Sequence, residues 1–295
     1  MNMLSSSELT RKIIDKAKSL GASLAGVASI ESLKNSPSHK LYPKIGMNLN
    51  EHFADTKEDL NIANVFWPAD AVSAVVIGIE HKAEEAHLDW WDGKGTPGNR
   101  ILIKTNNTLS EWIENTFPVK TYNLPYFVEK GGIFLKDAAV IAGLGYIGKN
   151  NLVITPEYGP RIRFRALLLN KKATSTGPLE FNPCENCGQP CRKACPANAF
   201  QTTVYSAKDL GQSILPGING TYDRVSCNIK MDKDIDEAAM MIPAHDKNQQ
   251  EIRQLIEEFE KSHIKTPNGD QPFKYCVKYC RKCELSCPVG LPARP

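Results

Sequence analysis

Nine cysteines stand in this 295-residue chain, and all of them follow residue 183. Eight fall into two runs, each closed by a Cys-Pro pair. The first is Cys184-x2-Cys187-x3-Cys191-x3-Cys195-Pro196, and the second is Cys276-x3-Cys280-x2-Cys283-x3-Cys287-Pro288. The ninth, Cys227, lies between them in "YDRVSC". A disulfide scaffold spreads its cysteines through a small secreted chain. An odd number gathered at one end of a long chain points to metal instead.

Short spacings let one loop wrap a cubane cluster and offer thiolates to different irons. The last cysteine before the proline then crosses to a second cluster, as in two-cluster ferredoxins. Structural zinc takes four ligands from paired Cys-x2-Cys knuckles. A triplet closed by Cys-Pro and repeated twice is the iron–sulfur pattern, so two [4Fe–4S] clusters are expected. By the crossing rule Cys184, Cys187, Cys191 and Cys287 share one cluster. Cys195, Cys280 and Cys283 share the other, with either Cys276 or Cys227 as the fourth ligand.

The cysteine-free part reads differently. Ser5 and Glu8 have capping-box spacing, Leu4 and Leu9 suit a hydrophobic staple, and Gly21 marks the helix end. Strands are predicted at residues 23–29, 71–79, 126–129, 151–155 and 161–169, and helices at 99–116 and 133–142. This alternation makes residues 1–172 an α+β layer domain. Residues 173–183 read as a linker, and 173–295 form the cysteine module, with a further helix expected at 249–259.

Lys plus Arg is 36 against 33 for Asp plus Glu, a net charge of +3 that makes no case for nucleic acid by itself. There is no apolar run of membrane-spanning length and no signal-peptide core, so a cytoplasmic protein is expected, with no membrane partner.

One run invites a nucleotide reading. "AGLGYIGKNN" places Gly143, Gly145 and Gly148 in a Gly-x-Gly-x-x-Gly pattern, followed by Lys149. A dinucleotide loop needs a strand before it, a helix after it and an acid about 20 residues on. Here helix precedes and strand follows. The P-loop pattern fails too, because Asn150 stands where a hydroxyl should bind magnesium. The run is read instead as a turn at the rim of a ligand pocket, with Lys149, Asn150 and Asn151 as polar contacts.

"AGLGYIGKNNLVITPEYGPRIRF" (residues 142–164), followed by the two Cys-Pro motifs, resembles the epoxyqueuosine reductase family and the related reductive dehalogenases. The resemblance implies a nitroreductase-like cobalamin-binding domain followed by a two-cluster ferredoxin-like domain. Electrons from a flavodoxin- or ferredoxin-type donor would pass through the clusters to cobalamin; flavin is the alternative cofactor. Cofactor contacts would come from Gly143, Gly145, Gly148, Lys149, Asn150, Asn151, Tyr158 and Gly159. "YDRVSC" matches the family segment that supplies a cluster cysteine, which favours Cys227 over Cys276. Glu129 stands where the family has a proton-donating Asp, and Gly132 replaces the family's proline.

Departures from the family leave the substrate open. One extra residue separates Cys187 from Cys191, and the chain ends eight residues after Cys287. Many epoxyqueuosine reductases continue into a helical-repeat region that helps hold tRNA, and dehalogenases usually carry a twin-arginine leader; neither is expected here. The competing expectation is an electron carrier, or a corrinoid-reducing activator of a partner corrinoid protein.

Overall fold

The computed structural model describes residues 4–41, 65, 67–91, 96–126, 128, 131–203, 206, 208, 221–240, 277–278 and 280–291. Helix α1 (Ser6–Ser19) starts at the predicted cap, where Ser5 Oγ accepts the Glu8 N–H at 3.2 Å. Gly21 leaves it with φ +98°. Strand β1 (Leu24–Ser29), helix α2 (Ile30–Lys34) and strand β2 (Ser73–Glu80) follow. A 3-10 turn (Ala86–Asp89) then runs into β3 (Trp90–Trp91). In helix α3 (Pro97–Thr116), Thr96 Oγ1 accepts the Asn99 N–H and Pro97 occupies the first turn, where its missing donor costs nothing.

Strand β4 (Thr121–Asn123), helix α4 (Leu135–Ile141), the short strands β5 (Tyr146–Ile147) and β6 (Val153–Ile154), and β7 (Ile162–Leu169) complete the shell. The main sheet is antiparallel in the order β1-β2-β7-β4. Helices α1 and α3 cover one face, where Ile13, Leu109 and Ile113 meet Val27, Val75 and Leu167. Helix α4 covers the other, where Ala138 and Ala139 meet Ala74, Val76 and Leu168. A sheet buried on both faces has no solvent side, so β2 is apolar from residue 74 to residue 79 instead of alternating. Beyond the shell lie α5 (Pro190–Lys193), α6 (Arg224–Met240), β8 (Val277–Lys278) and α7 (Lys282–Leu285).

Several expectations change. Tyr126 and Val128 form a bend and a short 3-10 turn instead of a strand, while Phe127 and Glu129 lie outside the described residues. Pro125, with no N–H to donate, stands at that point. The strand predicted at 151–155 shrinks to two residues, because β6 pairs with the two-residue β5 and Thr155 turns to bridge Gly159 instead. Residues 173–183 are tied to the shell more than a linker would be. Thr176 accepts the Val27 N–H at 2.8 Å, and its own hydroxyl donates to Ala142 O at 2.6 Å. The helix expected at 249–259 lies outside the described residues.

His39 braces the start of α4. Its Nε2 accepts the Phe134 N–H at 3.3 Å, so the neutral ring carries its proton on Nδ1, 2.8 Å from Ser36 Oγ. Burial pulls the imidazole down to about 4, against the pull of Asp137. The unfolded ring takes its proton near 6.5. The stabilisation is therefore whole above pH 6.5 and is lost as the pH falls toward 4, by up to roughly 3 kcal/mol. Denaturant unfolding at pH 7 and pH 4.5 is expected to show a smaller pH gap for His39→Gln than for the native chain; an equal gap counts against this assignment.

Candidate functional site

A cavity of about 550 Å³ opens between the shell and the cysteine module. Its shell side comes from the start of α4, the loop between β5 and β6, and the start of β7. Its other side comes from the cysteine loops and α6.

The fold collects the described cysteines into two groups. Cys191 is pushed up to about 11, by burial first and then by the charge of Cys287, Cys184 and Cys187. Cys283 is pushed up to about 12, again by burial first, then by Cys227, Cys280, Glu284 and Cys195. Cys227 is raised by burial and by Cys195 and Cys280, and Cys287 by burial and by Cys184 and Cys187. So Cys287 sits with Cys184, Cys187 and Cys191, while Cys195 sits with Cys227, Cys280 and Cys283. Cys276 lies outside the described residues.

Thiols raised this far stay protonated until a cation displaces the proton, so metal uptake would release protons here. Among the described residues, no three His, Cys, Asp or Glu side chains close on a single metal ion. A four-iron cube spreads its four thiolates over separate irons, which suits two wider groups of four. Cys195, Cys227, Cys280 and Cys283 all line the cavity, and none of the first group is among its described lining residues.

The glycine run meets the cavity through its last two residues. Asn150 and Asn151 line the cavity; Gly143, Gly145, Gly148, Lys149, Tyr158 and Gly159 are not among its described lining residues. The glycines make room for the chain itself. A side chain on Gly143, which has φ +72°, would meet the backbone of Thr176 and Gly177. Gly145 and Gly148 lie against Ile154, and Gly159 against Val289. Asn150 is buried, and its amide reaches Cys283 O at 3.5 Å, tying this turn to the second cysteine loop.

Residues outside the motifs complete the site. Lys136 lines the cavity with its ammonium 5.9 Å from the centre of the Tyr222 ring. Burial pulls its pKa down to about 8, helped by Arg224 and opposed by Asp137, Cys227 and Cys283. Burial holds the Tyr222 hydroxyl well above the ordinary range, and the neighbouring Cys227 raises it further.

A closed ring of charge adjoins the second thiol group, and three of its members, Arg163, Arg281 and Glu284, also line the cavity. Arg163 Nη2 is 3.0 Å from Asp89 Oδ1 and 2.7 Å from Glu284 Oε2. Arg281 pairs with Glu284, and its Nη1 lies 2.7 Å from Asp89 Oδ2, a charge contact outside hydrogen-bond angles. His81 Nδ1 meets Asp89 Oδ1 at 2.9 Å. Burial pushes the Asp89 carboxyl up, but the His81 bond and both arginines outweigh it and hold it at about 2. Arg281 and Glu284 betray themselves in sequence only as charges between cysteines. Asp89 has no local signal at all.

No family model matches the chain. Among curated proteins it is similar to the epoxyqueuosine reductase of Synechocystis sp., at 31% identity over 106 residues, 36% of this chain and 35% of that protein. It is also similar to the tetrachloroethene reductive dehalogenase of Sulfurospirillum multivorans, at 36% identity over 65 residues, 21% of this chain and 13% of that protein. The matched stretches therefore span about a third or less of these relatives. A solved epoxyqueuosine reductase with an epoxyqueuosine-modified tRNA-Tyr stem loop superposes with a TM-score of 0.58 and 16% identity, over 97% of this chain and 66% of that one. The fold is that of this reductase class, mixed α and β. The chain is similar to the epoxyqueuosine reductases and, over a shorter stretch, to the reductive dehalogenases.

Proposed function

We propose that this chain is a reductase of the epoxyqueuosine reductase kind. Its [4Fe–4S] clusters are held by Cys184, Cys187, Cys191 and Cys287 and by Cys195, Cys227, Cys280 and Cys283, and a cobalamin is held in the cavity. One observation carries this reading: all four thiols of the second group line the cavity. An electron carrier alone would need no such chamber beside its thiols. Bound there, the clusters supply a one-electron relay and the cobalamin a low-valent cobalt that reduces the substrate.

The chain's own residues have definable parts in this reading. Lys136 sets a positive charge near Cys227 and Cys283 and so favours the extra negative charge of reduction. Phe134, Ile147 and Phe164 supply apolar wall that excludes water, while Asn150 and Asn151 offer side-chain amides at its edge. Glu129 is assigned as the proton donor; it directly follows Val128, which lines the cavity.

In this reading residues 1–172 are a nitroreductase-like shell and 173–295 a ferredoxin-like module. The protein acts in the cytoplasm and takes electrons from a flavodoxin- or ferredoxin-type donor. No helix among the described residues is long and apolar enough to cross a membrane. The substrate to test first is an epoxyqueuosine-bearing stem loop, as bound by the structural neighbour.

Anaerobic reconstitution with iron, sulfide and cobalamin tests the reading. Uptake of about eight irons per chain and a cobalamin absorption change on titration are expected. Two zinc atoms without iron, or no cobalamin uptake, would overturn it, and a flavin in the isolated protein would replace the cofactor. Glu129→Gln should keep iron and cobalamin and slow turnover on the stem loop by about 100-fold or more; unchanged turnover removes Glu129 from the mechanism.

A further inference from the structure

The second thiol group is assembled from distant pieces. Cys195 and Cys227 come from one stretch, and Cys280 and Cys283 from another. Among the described residues, the segment carrying Cys280 and Cys283 shows only the two-residue β8 before it and the one-turn α7 within it. A loop of that kind does not hold two thiols in place unaided.

Residues 86–91 hold it from two sides. The backbone of β3 pairs with β8, Trp90 opposite Lys278 and Trp91 opposite Val277. One residue before that strand, Asp89 meets Arg281, which sits directly after Cys280. Arg281 also donates to His81 O at 3.1 Å and pairs with Glu284, which directly follows Cys283. Arg163 on β7 closes the ring by bridging Asp89 and Glu284.

Asp89, Arg281 and Glu284 are all buried, at 2%, 7% and 3% exposure. Two carboxylates and two guanidinium groups balance to zero, which is how such a ring stays tolerable without water. If the Asp89 charge is removed, two arginines are left sharing one carboxylate, Glu284. Arg163 and Arg281 each lose one of their two carboxylates, and Arg281 is the one that adjoins Cys280.

We propose that Asp89 is a positioning residue that presets Cys280 and Cys283 for the second cluster, acting through Arg281. The inference rests on the cluster reading above. It makes the second cluster depend on a residue some 190 positions upstream and leaves the first cluster independent of it. The first group draws on other supports, among them Arg161, which donates to Cys287 O at 3.2 Å and to Val289 O.

The test uses the full chain carrying Asp89→Asn or Glu284→Gln, two corners of the ring. After anaerobic reconstitution, both variants should drop from about eight irons per chain to about four. The EPR signal that remains should be the first cluster's, at its native potential. Eight irons with two unshifted potentials in Asp89→Asn overturns the proposal. So does loss of both clusters together from both variants, since that is general unfolding.

A readout without iron separates this proposal from the cluster reading. In the metal-free full chain, Asp89→Asn should speed alkylation of Cys280 and Cys283 by about tenfold, with Cys184 and Cys191 unchanged. Native protein that takes up no iron would end the cluster reading, but this alkylation pattern would still decide whether Asp89 holds the loop. Equal rates in native and variant chains overturn it.

Discussion

Cys227→Ala is expected to halve the iron of the reconstituted chain, from about eight atoms to about four. Reduction of anything held in the cavity should stop with it. Three thiolates leave one iron of the cube without a protein ligand. Cys276→Ala is the matching control, because the two residues competed for this position in the sequence. It should keep all eight irons and full activity. The reverse pattern, with iron lost from Cys276→Ala and kept in Cys227→Ala, would sink the assignment.

Gly159→Val should be the most damaging single change in the shell, costing roughly 3–5 kcal/mol. Gly159 has φ +56°, a conformation that costs a β-branched residue about 1–2 kcal/mol on its own. Its new side chain would also run into the Val289 carbonyl, two residues past Cys287. Relief from the other side is blocked, because Gly290, with φ +70°, lies against the backbone of Glu157, Tyr158 and Gly159. Backbone set against backbone has no rotamer to escape into. The Cys287 loop must move, so the first cluster should be lost along with stability. Denaturant unfolding of the metal-free chain and iron analysis would measure both. Gly188→Ala, in the first cysteine motif with open space around it, is the control and should stay within about 0.5 kcal/mol. A Gly159→Val chain as stable as this control would mean the joint is loose.

Local rules made much of the shell legible. The cap at Ser5, the apolar spacing of Leu9, Ile13 and Ala17, and the apolar run of β2 each declare themselves over a few residues. The expectation failed where an element depends on a partner. Residues 151–155 look like a strand, but β6 extends only as far as β5 can pair with it. Residues 173–183 have a linker's composition, yet Thr176 fastens them to β1 and to the end of α4. The glycine run borders the cavity through Asn150 and Asn151, and its glycines also serve the fold. A bare Cα admits a cofactor or another strand of protein, and here the neighbours of Gly143, Gly145, Gly148 and Gly159 are the chain's own atoms.

By itself the sequence determined the type of chemistry to look for. The cysteine spacings, the Cys-Pro endings and the glycine run are properties of short stretches, and a cluster-binding loop is written in that alphabet. The tertiary structure alone decided that Cys195, Cys227, Cys280 and Cys283 border a cavity, that Lys136 and Tyr222 stand beside them, and that Asp89 reaches Arg281. Spacing encodes what one loop can wrap. It carries no record of which distant charges the fold will bury together, because that depends on how both faces of the sheet are covered and on where the chain returns.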